Sequence, residues 1–241
     1  MIEIWGHRGA YDHAPENTLT GFQTAADLGA DGVEFDIQLT RDGEVVVIHD
    51  ETIDRTSDGH GYVKDFTLHE IKKFNVNKKG ITQPLFMEIP TLSEVFALLK
   101  PIKLKINVEF KTGIIFYDGI EAKALEIARK YDILDRIVWS SFNHYSVQKL
   151  KQAEPKAETA LLCSGGIFVT GEQCKNIGAS ALHPHIMQLK YPGLAEECRR
   201  HGVKIRTWTV NEPEHFKLAA DMSVDAVCTN NIKTAKRILN V

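Results

Sequence analysis

The stretch Ile2–Thr40, IEIWGHRGAYDHAPENTLTGFQTAADLGADGVEFDIQLT, carries the pattern that decides the fold. An apolar run opens it and stops at His7-Arg8-Gly9. A helix is predicted from about Asn17 to Leu28, because Leu19, Phe22, Ala25, Ala26 and Gly29 share one face. Gly29-Ala30-Asp31-Gly32 ends that helix, and Val33–Thr40 reads as the next strand. Strand, helix and strand in that order call for parallel strands joined by a right-handed crossover.

The rhythm continues along the chain. Further strands are expected at Leu104–Lys111, Ile137–Phe142, Thr159–Cys163, Ala181–Pro184, Lys204–Val210 and Asp225–Thr229. Helices are expected at Leu92–Leu99, Gly119–Tyr131, His144–Gln152, Thr170–Ile177, Pro192–His201, Pro213–Ala220 and Ile232–Leu239. About eight such units in a chain of this length match an α/β fold of the (β/α)8 TIM-barrel type. A doubly wound open sheet is the alternative, and the missing G-x-G-x-x-G after the first strand counts against it. The segment from Asp50 to Pro90 breaks the rhythm, with Asp58-Gly59-His60-Gly61 and a helical Leu68–Phe74. We read it as a small insertion after the second barrel strand, at about 50–90, within a single domain spanning 1–241.

The bulk composition narrows the function. The 241 residues are 43% hydrophobic and 25% charged, with a formal net charge of −3. That balance gives no global pull toward nucleic acid or an anionic membrane, so an anionic substrate needs a local positive site. No apolar run approaches the roughly 20 residues of a membrane span. The N-terminus shows no basic and apolar leader, so a cytoplasmic protein without stable membrane association is expected. Cys163, Cys174, Cys198 and Cys228 form no C-x-x-C and no zinc spacing, so they are expected to be buried free thiols.

Charge collects where the strands should end. The first strand ends at His7-Arg8. The second carries Glu34-Phe35-Asp36, and the third carries Glu109-Phe110-Lys111. With a period of two, Glu34 and Asp36 point together into the barrel mouth. Buried charges are costly unless paired or metal-bound, so two such pairs beside a His-Arg terminus suggest a site. Asp42-Gly43 signals a two-residue hairpin, whose register would place His49 opposite Asp36. His7, Arg8, Glu34, Asp36, His49, Glu109 and Lys111 could then share one mouth. Three carboxylates around a point suit a hard divalent cation, Mg2+ or Ca2+. Arg8 and Lys111 suit phosphate oxygens, and the two histidines suit acid/base work. Each part fits phosphodiester cleavage. A rival reading is a Lys111 Schiff-base aldolase.

At this point the chain resembles the glycerophosphodiester phosphodiesterases, within the phospholipase-C-like phosphodiesterase superfamily. The matching motifs are His7-Arg8-Gly9, Pro15-Glu16-Asn17-Thr18, Glu34–Thr40, Val47-Ile48-His49-Asp50, Asp54-Arg55-Thr56, Glu109-Phe110-Lys111 and Thr207–Asn211. The resemblance implies the barrel and its insertion, with Glu34, Asp36 and Glu109 as metal ligands and His7 and His49 as the acid/base pair. It implies a small-molecule glycerophosphodiester as substrate, cut to glycerol 3-phosphate and an alcohol. A related lysolipid phosphodiesterase that stops at a cyclic phosphate is the near alternative, and a non-catalytic barrel that binds glycerol phosphate is another. Trp208 is expected to wall the substrate, alongside Arg8 and Lys111 as phosphate contacts. Phe142, His183 and His185 are possible lining residues, and His13 and Arg55 sit near the mouth without a role. One departure is Asn230, where the family commonly has Asp after the last strand's Thr. The oligomeric state is expected to be monomer or homodimer.

Overall fold

The computed structural model describes residues 1–77, 86–166 and 170–240. The part of the expected insertion at 78–85 lies outside these residues. Nine strands are present among them: β1 Glu3–His7, β2 Gly32–Leu39, β3 Val45–Val47, β4 Lys105–Phe110, β5 Ile137–Ser141, β6 Glu158–Cys163, β7 Ala181–Pro184, β8 Lys204–Thr207 and β9 Ala226–Thr229. The helices are α1 Leu19–Asp27, α2 Leu68–Ile71, α3 Leu92–Leu99, α4 Ile120–Tyr131, α5 His144–Ala153, α6 Thr170–Ile177, α7 Leu194–Arg200, α8 Pro213–Asp221 and α9 Ile232–Leu239.

Eight of the strands close into a parallel barrel. The order β1-β9-β8-β7-β6-β5-β4-β2 is sealed by a β1–β2 pairing, and β3 hangs antiparallel on β2. This is the expected (β/α)8 barrel. Closure removes every free edge from the parallel strands, and the helices cover their outer faces. All eight residues of β2 are buried in consequence. Phe22, Phe35 and Phe96 carry the helix–sheet contact there, with ring centroids 5.2 and 6.4 Å apart.

The inside of the barrel is filled rather than hollow. Trp5 packs with Val138, Ala160, Ala181 and Ala226 as a floor of one large ring among small side chains. Gly32 gives that ring its room, because a Cβ there would lie 2.8 Å from the Trp5 indole. The Arg206 side chain stacks over the same indole at 5.0 Å and pairs with Glu158.

Two local expectations are corrected. The continuous run of β8 ends at Thr207 rather than Val210: Pro184 has no N–H to give its neighbour, and beyond it the pairing continues only as an isolated His185–Trp208 bridge. The hairpin after β2 is not a two-residue turn. Gln38 pairs with Val46 and Ile37 with Val47, and Thr40 and Glu44 close the loop. The loop is Arg41-Asp42-Gly43, with Gly43 at φ +79° in the left-handed region. The Thr40 hydroxyl accepts from the Glu44 N–H and bonds the Asp42 carboxylate, which fixes the longer loop. The register therefore sets Ile48, not His49, against Asp36; the Ile48 N–H donates to the Asp36 carbonyl at 3.0 Å.

The segment after β3 has a small cluster of its own: Val46, Ile48, Ile53, Val63, Ile71, Val76 and Ile89. Two of its members come from the β3 hairpin, so the hairpin ties this segment to the barrel. α2 is a single turn, Leu68–Ile71, closed by a Thr67/Glu70 capping box.

Phe35 is fully buried between Phe22 and Phe96. Phe35→Ala is expected to cost about 3–5 kcal/mol of stability, read as a lower urea midpoint.

Candidate active site

The strand ends bring three carboxylates together. Glu34 and Asp36 leave β2 on one face, and Glu109 leaves the adjacent β4 in register with Asp36. One oxygen from each lies within 4.8 Å of the others, and all three residues are buried. Burial and the charges of Asp36 and Glu109 raise the Glu34 carboxyl well above its ordinary range. Burial raises Glu109 as well, against the opposing pull of Lys111. Asp36 goes the other way. Burial disfavours its charge, but His49, Arg8, Lys111 and the Asn17 amide outweigh that and hold it at about 2. Crowded hard-oxygen donors of this kind fit a divalent cation, which would relieve their mutual repulsion.

The loop after β1 wraps this cluster. Arg8 takes a left-handed φ of +51°, and its own N–H donates to Glu34 at 3.0 Å. Its side chain turns back so that Nη1 meets Glu16 at 2.7 Å and Nε lies 3.7 Å from Asp36. That Nε is buried without a hydrogen-bond partner, and the Arg8 residue lines the cavity. Asn17, also left-handed at φ +56°, donates from Nδ2 to Asp36 at 3.0 Å. Sequence reading gave Asn17 a place in a motif but no contact. Its short polar side chain both tolerates the backbone and holds the carboxylate.

The two histidines have different partners. His7 Nδ1 meets Asn230 Oδ1 at 2.7 Å. Burial, then the Arg8 charge, push its pKa down to about 4. His49 Nδ1 meets the Asp50 carboxylate at 2.6 Å, and its Nε2 faces Lys111 Nζ at 3.2 Å. A carboxylate only accepts and an ammonium only donates, so both contacts select the tautomer with the proton on Nδ1. Lys111 also pairs with Glu109 at 3.0 Å. Burial alone would lower its pKa, but Glu109 and Asp36 raise it, opposite to what a Schiff-base lysine needs.

His49 owes its position to a residue the sequence did not single out. The Gln38 amide donates to the carbonyls of Ile48, His49 and Asp50 at 3.2, 3.0 and 2.6 Å. Tyr117 donates its hydroxyl to Gln38 Oε1 at 2.8 Å. This bridge bends the chain after β3 so that His49 reaches the mouth without strand pairing.

The model of the family described as "Glycerophosphoryl diester phosphodiesterase family" matches residues 7–234. The chain belongs to that family. A glycerophosphodiester phosphodiesterase of Caldanaerobacter subterraneus subsp. tengcongensis is 42% identical, covering 96% of this chain and 95% of that one. A solved glycerophosphodiester phosphodiesterase from Thermotoga maritima is 27% identical with a TM-score of 0.81, covering 99% and 98% of the two chains. A phosphodiesterase from Oleispira antarctica, solved with sn-glycerol-3-phosphate, shares the fold at 24% identity and a TM-score of 0.88, covering 99% and 97%.

Like its relatives, the chain is thus a phosphodiesterase, and its mouth divides into two halves. The charged half comes from the loops after β1 to β4. The opposite half is largely apolar: Phe142, Leu162 and Trp208 line the same cavity as His7, Arg8 and the carboxylates. Trp208 meets Phe142 edge-on at 5.4 Å and His185 at 5.3 Å. His183 lines the cavity from below, whereas His185 only backs Trp208. Arg55 joins the charged half, and His13 has a buried Nδ1 without a partner. The four cysteines are free and buried as expected, and burial first of all keeps the Cys228 thiol protonated. Among the described residues, no helix is long and apolar enough to cross a membrane.

Glu34 carries the stability consequence of this crowding. Its carboxyl titrates near 4.5 when unfolded and well above that in the fold. Its contribution is complete below 4.5 and is lost as pH rises through the raised value. In chelator, the melting temperature is expected to fall as pH climbs above 4.5, with a smaller fall in Glu34→Gln. Adding Mg2+ or Ca2+ near neutral pH should raise the melting temperature of the native chain but not of the variant.

Proposed function

We propose that this chain hydrolyses glycerophosphodiesters to glycerol 3-phosphate and an alcohol, using two histidines at a divalent-cation site for Mg2+ or Ca2+. The observation that carries the reading is the buried Glu34, Asp36 and Glu109 cluster flanked by both histidines and by Arg8. Those three carboxylates would hold the cation, which supplies charge neutralisation at a phosphoryl oxygen.

The rest of the chemistry belongs to the chain. Arg8, which lines the cavity, and Lys111 hold the other phosphate oxygens and stabilise charge as it builds. Trp208 and Phe142 wall off the glycerol or the leaving alcohol from water. His7 acts as base. Its partner is the neutral Asn230 amide, and burial beside Arg8 keeps its imidazole uncharged near pH 7. His49 acts as acid from Nε2 once that nitrogen carries a proton in place of its contact with Lys111, while the Asp50 carboxylate holds Nδ1–H on the far side of the ring. His7 takes the proton from the glycerol 2-hydroxyl as its oxygen bonds to phosphorus. The phosphorus–oxygen bond to the alcohol breaks, and that oxygen takes its proton from His49. A cyclic phosphate results. Water then opens the ring, with His49 accepting a proton and His7 returning one. The neighbouring hydroxyl is favoured over direct attack by water because it is already in place. The cytoplasm is the setting this reading assigns, supported by four free thiols.

Glycerol 3-phosphate release from glycerophosphocholine should vanish in EDTA and return with Mg2+ or Ca2+. Release that survives chelation would remove the cation from the mechanism. His7→Ala and His49→Ala should each lower kcat at least about 100-fold while melting normally. Phosphorus NMR should show a transient cyclic phosphate; product without it would favour direct attack by water.

A further inference from the structure

A continuous run of ion pairs joins the two arms of the charged half. Arg8 Nη1 meets Glu16 Oε1 at 2.7 Å. Both Glu16 oxygens meet the Arg55 guanidinium, at 2.6 and 2.8 Å. Arg55 then turns its remaining edge to Asp50, with Nε at 2.7 Å and Nη2 at 3.1 Å. Asp50 ends the run on His49 Nδ1 at 2.6 Å. Glu16 sits in the loop after β1, and Arg55 in the segment after β3. The Arg55 guanidinium spans two carboxylates with all three of its nitrogens, a geometry that the single ammonium of lysine does not reproduce.

We infer that Glu16 and Arg55 are positioning residues that lock the phosphate-holding Arg8 and the proton-carrying His49 into one unit. The inference rests on the proposed function for what those two groups do, and on geometry alone for the coupling. Each end has a reason to need the lock. The Arg8 guanidinium lies beside Asp36, with Nε at 3.7 Å. Without Glu16, the nearest stronger partner is Asp36 itself, and pairing with it would take Arg8 from the phosphate and a charge from the cation site. Asp50 has one oxygen on His49 and both on Arg55. Without Arg55, Asp50 is free to rotate, and His49 loses one of the two contacts that select its tautomer, with only Lys111 left at Nε2. Arg55 is 41% exposed in its side chain, so small solutes can reach its place, while Glu16 is buried at 7%.

The test uses Arg55→Ala and Arg55→Lys in the full chain, with glycerophosphocholine and the cation that restores the native enzyme. Both variants should lose about 10–100-fold in kcat, as partners that orient active groups commonly do, with little change in melting temperature. Millimolar guanidinium should restore part of the activity of Arg55→Ala, and equal NaCl should not. A purely structural arginine would instead show a lowered melting temperature and no rescue, because millimolar guanidinium is far below the molar range that acts on folding. Nitrogen-15 NMR of the His49 ring supplies a readout independent of turnover. The native ring should carry its proton on Nδ1, and Arg55→Ala should shift toward the other tautomer. If Arg55→Ala does not fold, Glu16→Gln takes its place, with Arg8 pairing to Asp36 and a weaker cation requirement curve as the expected result. A kcat within about twofold of native together with an unchanged His49 tautomer overturns the inference. Absence of activity in the native chain counts against the proposed function instead, and the ring signal then decides the coupling alone.

Discussion

Three buried carboxylates within 4.8 Å of one another are the constraint on which this barrel's mouth depends. Like charges at that spacing, away from water, oppose folding unless something answers them. The answer is distributed. Arg8 gives Glu34 a backbone N–H and places a guanidinium near Asp36, Asn17 gives Asp36 an amide, and Lys111 pairs with Glu109. Three of these four contacts come from residues held in left-handed backbone, Arg8 and Asn17. Such conformations cost free energy and persist where surrounding contacts demand them. The loop after β1 is thus shaped by the carboxylates it must serve, and the position of His7 follows from that shape.

The barrel is what makes such crowding tolerable. Eight strands sealed edge to edge, with the Trp5 floor beneath and helices outside, fix the Cα positions of Glu34, Asp36 and Glu109 through a ladder rather than through their own side chains. Neighbouring strands in parallel register place Asp36 beside Glu109 whatever their charges prefer. The hairpin after β2 then adds a third arm from outside the barrel, with Gln38 bending the chain to bring His49 inward.

Much of this could be read from the residues in order. Alternating apolar strands and amphipathic helices report barrel geometry directly, because periods of 2 and 3.6 are local properties. The charged pairs Glu34/Asp36 and Glu109/Lys111 stood out because charge on an interior strand needs a reason. The hairpin register did not come through: two-residue and three-residue loops differ in the φ of one glycine and a hydroxyl contact of Thr40, which Asp-Gly does not encode. His49 was placed in the right mouth by the wrong pairing. Asn17, Gln38, Tyr117 and Asn230 act through contacts 10 to 223 residues away in sequence, and only the folded chain brings those partners into reach. Arg55 fell in the same class, with its two carboxylates split between separate loops.

The division of the mouth carries a consequence for how such an enzyme changes over evolutionary time. The charged semicircle is a mesh in which Arg8, Glu16, Asp50, Arg55, His49, Lys111 and the carboxylates share partners, so altering one disturbs several. The opposite wall, built on Phe142, Leu162 and Trp208, meets the cavity through packing that tolerates exchange of one apolar shape for another. Selection can therefore remodel the fit to one end of a diester, loop by loop, without reopening the problem of cleaving it. Substrate range and chemical competence are inherited on separate arcs of the same ring.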